Sequence, residues 1–97
     1  MSDRQASVRH DAAQQRYELL VDGQSLGAAE YSEQGERMVF THTEVDPSLS
    51  GQGLGSVLAK DALEDARRRG KRVVPQCEFI ASYIERHEQW QDLVDPA

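Results

Sequence analysis

The run Pro47-Ser48-Leu49-Ser50-Gly51-Gln52-Gly53-Leu54-Gly55-Ser56-Val57-Leu58 sets three alternating glycines at the exit of an expected strand, directly before an amphipathic helix. Without a Cβ at these positions, successive backbone N–H groups can turn toward one point, and the positive end of the following helix dipole adds to their attraction for an anion. The layout is that of a phosphate cradle. Two other Gly-rich loops do not fit it. A P-loop needs Lys and then Ser or Thr after its last glycine, whereas Gly55 is followed by Ser56 and Val57. A dinucleotide fingerprint begun at Gly51 and Gly53 needs its third glycine where Ser56 stands, and 97 residues are too few for the repeated crossovers of a doubly wound sheet.

Downstream of the loop, Leu54, Leu58, Ala59, Ala62, Leu63 and Ala66 recur at helical spacing opposite Lys60, Glu64, Arg67 and Arg68, which predicts a helix over 53–69 with Gly70 as its C-cap. Arg72 to Gln76 then reads as a short strand reached by a crossover, hence parallel to the strand ending at Val45. Ile80, Tyr83, Ile84, His87, Gln91 and Val94 form one stripe and predict a second helix. Upstream, Tyr17, Leu19 and Val21 alternate with Glu18, Leu20 and Asp22, and Asp22-Gly23 marks a hairpin turn before Leu26 to Ser32. A turn at Gln34-Gly35-Glu36 leads into Arg37 to Val45, whose alternation puts Met38, Phe40, His42 and Glu44 on one face. Ser7 to His10 is a candidate edge strand. The expected fold class is α/β (α+β): antiparallel strands, then helix, strand and helix, with a central mixed sheet flanked by two helices.

The length fits one domain over 1–97. The net charge of −6 argues against a general nucleic-acid binder. The basic run Arg67-Arg68-Arg69-Gly70-Lys71-Arg72 reads first as cations favoured at a helix C-terminus, and second as a clamp for a phosphorylated ligand. A single cysteine excludes an internal disulfide, and no apolar run is long enough for a signal peptide or a membrane span, so a soluble cytoplasmic protein is expected. No Cys/His cluster has metal-ligand spacing.

The glycine run resembles the pyrophosphate loop of GNAT-type N-acetyltransferases, Gln/Arg-x-x-Gly-x-Gly/Ala, read here as Ser50-Gly51-Gln52-Gly53-Leu54-Gly55. Ser50 departs from the long donor side chain usual at the first position. The resemblance extends to a small, short-form branch of that superfamily through Phe40-Thr41-His42-Thr43-Glu44-Val45, Pro75-Gln76-Cys77-Glu78-Phe79 and Tyr83-Ile84-Glu85-Arg86-His87. Departures sit at Glu78, where Pro is usual, and at Glu88-Gln89-Trp90, where Pro-Glu-Tyr is usual. The resemblance implies a truncated acetyltransferase fold whose two parallel strands splay around the pantetheine arm of acetyl-CoA. It also implies that the backbone of Gly51, Gln52, Gly53, Leu54, Gly55 and Ser56 holds the coenzyme pyrophosphate, and that the Val45 N–H polarises the thioester.

Acetyl transfer to an amine needs a neutral nucleophile, a polarised carbonyl and a proton for the leaving thiolate. His42 and Glu44, two apart on one strand, are candidates for the proton path, or are polar surface residues if their face is exposed. Cys77, between a strand and a helix N-terminus, is a candidate covalent nucleophile, opposed by the adjacent Glu78 and ranked below direct transfer in a ternary complex. Tyr83 is a candidate acid for the departing thiolate by resemblance, and otherwise packs with Ile80 and Ile84. The first functional reading is an acetyl-CoA-dependent N-acetyltransferase acting on a small amine or a protein lysine, its acceptor site completed by a partner or a second copy of the chain. The alternative is a coenzyme A or acyl-CoA binding module.

Overall fold

The computed structural model describes residues 5–49 and 53–95. Five strands form one sheet in sequence order: β1 (Ala6–Asp11), β2 (Arg16–Val21), β3 (Gln24–Gln34), β4 (Arg37–Val45) and β5 (Arg72–Pro75). The first four run antiparallel through tight turns, with Asp22 and Gly23 in left-handed conformation at one and Gly35 at another. Helix α1 (Leu54–Arg68) crosses over and delivers β5 parallel to β4, as a crossover connection must. Helix α2 (Glu78–Arg86) and a 3-10 segment, Glu88–Leu93, complete the order.

One apolar cluster holds these elements together. From the sheet it takes Tyr17, Leu19, Ala29, Met38, Phe40 and Val73; from α1, Leu58, Ala59, Ala62, Leu63 and Ala66; from α2, Ile80, Tyr83 and Ile84. The alanines of α1 let the helix approach the sheet closely, while Leu58 and Leu63, fully buried, each contribute about 1.5–3 kcal/mol. The helix ends in a Schellman motif: Gly70, at φ +71°, donates to Arg67 O and Lys71 donates to Ala66 O. Gly70 thus lies one residue beyond the C-cap, which is Arg69.

Two expectations are corrected. The stripe from Ile80 to Val94 is not one helix, because α2 stops at Arg86 and the chain leaves helical geometry at His87. The imidazole is the physical reason: it stacks on Tyr83 at 4.0 Å, and Nδ1 engages the Tyr83 carbonyl at 2.8 Å, an acceptor that would otherwise serve the next turn. The second correction concerns β4. Tyr31 pairs with Phe40 but Glu30 pairs with His42, so Thr41 is an extra residue in the strand. This bulge reverses the alternation. Met38 and Phe40 face the core, as does Thr43 opposite buried Ala29, whereas His42 and Glu44 stand on the polar face with Glu30 and Ala28.

Candidate functional site

The sheet opens where β4 and β5 part. Their parallel pairing runs only from Arg37 with Arg72 to Phe40 with Pro75. Beyond it the N–H groups of Gln76 and Cys77 both donate to the Phe40 carbonyl, each at 3.0 Å. Among the described residues, the β4 edge from Thr41 to Val45 therefore has no strand beside it on the β5 side. Asp46 N–H donates across to Leu26 O at 2.7 Å, and antiparallel ladder bonds alternate, so the Val45 N–H is directed toward this free edge.

Below the opening, the first turn of α1 meets α2. Gly53 caps α1 at φ +70° and supplies no side-chain cap. The N–H groups of Leu54 and Gly55 are among the donors a helix start leaves unpaired, and they sit at the positive dipole end. Ser56 N–H turns back to Gly53 O at 3.2 Å. Gly55 is in close contact with Phe79, whose ring fills the place a Cβ would take. A cleft of about 370 Å³ follows, lined by Val45, Pro47, Gly53, Gly55, Phe79 and Arg86 among others. It is apolar on the Phe79 and Val45 side, donor-rich at the helix start, and carries the Arg86 guanidinium and, at its β4 edge, the Asp46 carboxylate. Gly51 and Gln52, expected in the cradle, lie outside the described residues.

Sequence reasoning passed over Phe79 and Arg86 as site residues. They are seven apart, two turns of α2, on the flank of the Ile80, Tyr83 and Ile84 stripe. The signal was an aromatic and an arginine sharing a flank that the core does not need: Phe79 is 38% exposed, and among the described residues Arg86 donates through Nε only to Ser82 O within its own helix. The basic run, in contrast, does not reach the cradle. It lies at the other end of α1, roughly 20 Å away at 1.5 Å per residue. Its side chains are engaged there: Arg67 with Asp92 at 2.9 Å and over the Trp90 ring, Arg68 with Asp65 at 2.7 Å, and Lys71 with Glu33 at 3.1 Å.

The four candidate catalytic residues divide into two groups. Cys77, buried, is the N-cap residue of α2, and its Sγ lies 3.2 Å from Thr43 Oγ1, the hydroxyl that the Thr41 bulge turns inward. Tyr83 is buried against the His87 ring. His87 is committed to the Tyr83 carbonyl and makes no contact with Cys77 among those described. His42 and Glu44 form an ion-pair contact of 3.3 Å on the polar face, with side chains 58% and 73% exposed. The bulge thus takes them off the face of Met38 and Phe40 that the alternation assigned them, while the two stay side by side.

The family model described as GCN5-related N-acetyl-transferase matches residues 16–93. The chain belongs to that family. The matched span takes in β2 to β5, both helices and the cleft between α1 and α2. Among solved structures, the chain is similar to the NMR solution structure of a GCN5-like protein from Staphylococcus aureus. That likeness has a TM-score of 0.72 and 22% sequence identity, and covers 94% of this chain and 89% of the other. It bears on the fold alone, a mixed sheet with helices. No significant match is found among curated protein sequences. Among the described residues, no helix of this family member is long and apolar enough to cross a membrane.

Proposed function

We propose that this protein transfers the acetyl group of acetyl-CoA to an amine, by direct attack within a ternary complex. The observation that carries the reading is the cleft at the α1 start, which joins backbone donors, the Arg86 cation and an apolar wall at the end of an unpaired strand edge. A pyrophosphate suits the donors and Arg86, since charge-assisted hydrogen bonds contribute about 1.5–3 kcal/mol each. A pantetheine amide arm suits the edge of β4, which can accept it as an added strand. Gly53, Leu54, Gly55 and Ser56 would hold the phosphates together with Gly51 and Gln52, and the Val45 N–H would polarise the thioester carbonyl.

Direct attack is favoured over an acetylated Cys77 because the polar group against Sγ is a threonine hydroxyl, which is no base at neutral pH. The proton of the attacking amine would leave through His42 and Glu44, which share a face, and Tyr83 remains the candidate acid for the thiolate. Coenzyme binding without transfer is the second reading, and the separation of His42 and Glu44 from Cys77 and Tyr83 favours it. Calorimetric titration with acetyl-CoA and with free coenzyme A tests the common ground. Micromolar binding of either supports the cleft assignment, and release of free thiol in the presence of amines then decides for the transferase. Absence of binding by both overturns the reading.

A further inference from the structure

Across the polar face, Arg9, Glu18, Ala28 and Glu44 stand opposite one another on successive strands. Ala28 is the short member of this row, so a trough lies between Glu18 and Glu44. The result is a groove of about 710 Å³, within the range of roughly 300–1,000 Å³ usual for small-molecule sites. It lies back to back with the coenzyme cleft, because Val45, Asp46 and Pro47 line both. Thr43, which touches Cys77, also lines it.

The two hollows differ in charge. Among the described residues the groove carries Glu18, Glu44 and Asp46 against the single guanidinium of Arg16. Buried Glu18 is already neutralised, bound by Arg16 at 2.9 Å and also by Arg9. Glu44, which touches only the His42 imidazole among the described residues, and Asp46 remain as the carboxylates without a Lys or Arg partner there, and Asp46 is kept well ionised by the Ser48 N–H that it accepts at 2.8 Å. We propose that this groove receives the acceptor, and that the acceptor is a small aliphatic amine bearing a second ammonium group, held by Glu44 and Asp46. The inference rests on the acetyltransferase reading and narrows it. One ammonium is released from its proton to solvent by way of His42. Its nitrogen then forms the amide bond as the thioester C–S bond breaks, and the second nitrogen proton ends on the coenzyme sulfur. The other ammonium stays paired in the groove.

Putrescine and pentylamine, equal in the number of heavy atoms along the chain and different in the second charge, are the probes. Each is titrated into ¹⁵N-labelled protein saturated with coenzyme A, with amide shifts read at Gly27, Ala28, Thr43 and Glu44. Putrescine is expected to bind about tenfold tighter, and Asp46→Asn, which keeps the turn contact to Ser48, to reduce the preference to about twofold. Glu64→Gln on α1, away from the groove, leaves it unchanged. Equal binding of the two amines, shifts confined to other residues, or a basic lysine peptide displacing putrescine's advantage would overturn the inference. Acetyl-CoA binding is measured in parallel. If it is present while the groove is silent, the acceptor inference fails alone; if the groove selects putrescine while acetyl-CoA does not bind, the transferase reading fails instead.

Discussion

A Cβ added to Gly55 would stand 2.7 Å from Cζ of Phe79. The contact ties the first turn of α1 to the first turn of α2 and forms the floor of the proposed coenzyme cleft. Gly55→Ala should displace the half-exposed ring without unfolding the chain, since alanine is favoured over glycine in a helix by about 1 kcal/mol. We expect thermal stability unchanged or raised and acetyl-CoA affinity lowered about tenfold. Unchanged affinity by calorimetry would remove the Phe79 contact from the site.

Gly53 presents the opposite case. Nothing lies within 4 Å of its built Cβ, but its φ of +70° is one that L side chains rarely adopt. Gly53→Ala should therefore cost about 1–2 kcal/mol through the backbone alone, and Gly53→Val more. The denaturation midpoint should fall, and coenzyme affinity with it, as the helix start relaxes away from the left-handed cap. The two glycines are separable by one pair of measurements: stability reports Gly53, and affinity at unchanged stability reports Gly55.

Arg86→Gln should leave the fold intact, because the side chain is exposed and, among the described residues, bonded only within its own helix. Loss of one charge-assisted contact to phosphate, about 1.5–3 kcal/mol, corresponds to at least about a tenfold loss of acetyl-CoA affinity. The variant's binding should also depend less on salt than that of the parent. Wild-type affinity in this variant would show that the phosphates lie elsewhere.

Cys77→Ala should retain acetyl transfer within a few-fold, with coenzyme affinity unaltered. Complete loss of turnover at normal affinity would replace direct attack with an acetyl-cysteine intermediate. Thr43→Val, which removes only the hydroxyl facing Sγ, is the companion variant and should behave in the same way.

Alkaline pH should weaken the fold through Tyr17. Burial, followed by its 2.6 Å hydrogen bond to Asp65, raises its hydroxyl far above the ordinary value of 10.0. The folded state thus holds this proton more tightly than the unfolded chain does. The stabilisation is present in full below pH 10 and is lost as pH rises above it. Tyr17→Phe should lower neutral-pH stability by about 1 kcal/mol and flatten the alkaline limb of urea-denaturation midpoints. Some slope should persist, because burial raises Tyr31 as well.

Much of this architecture was legible from residues alone, for identifiable reasons. Tyr17, Leu19 and Val21 alternate because that face of β2 packs into the apolar cluster while the other carries Arg16, Glu18 and Leu20, and the α1 stripe is regular because the helix covers a single layer. The hidden features are those with no periodic signature. Thr41 is inserted without a glycine or proline to announce it, so the apparent pairing of Phe40 with His42 and Glu44 misled. His87 ends α2 by a side-chain contact rather than by a breaker residue. Arg86 escaped notice because a run of arginines at the far end of α1 offered a denser positive charge, although those cations are consumed by Asp92, Asp65 and Glu33.

The extra residue at Thr41 also divides β4 into two stretches under different packing constraints. Up to Phe40 each inward side chain is wedged into the shared apolar cluster, and few alternatives would be viable there. From His42 to Glu44 the same strand has changed phase, and its outward residues are answerable to whatever is recognised rather than to folding. Randomising 42 and 44 should yield mostly folded proteins with altered acceptor preference, whereas deleting Thr41 would remove the bulge and make the pairs Tyr31 with Phe40 and Glu30 with His42 consecutive, leaving both faces as they are.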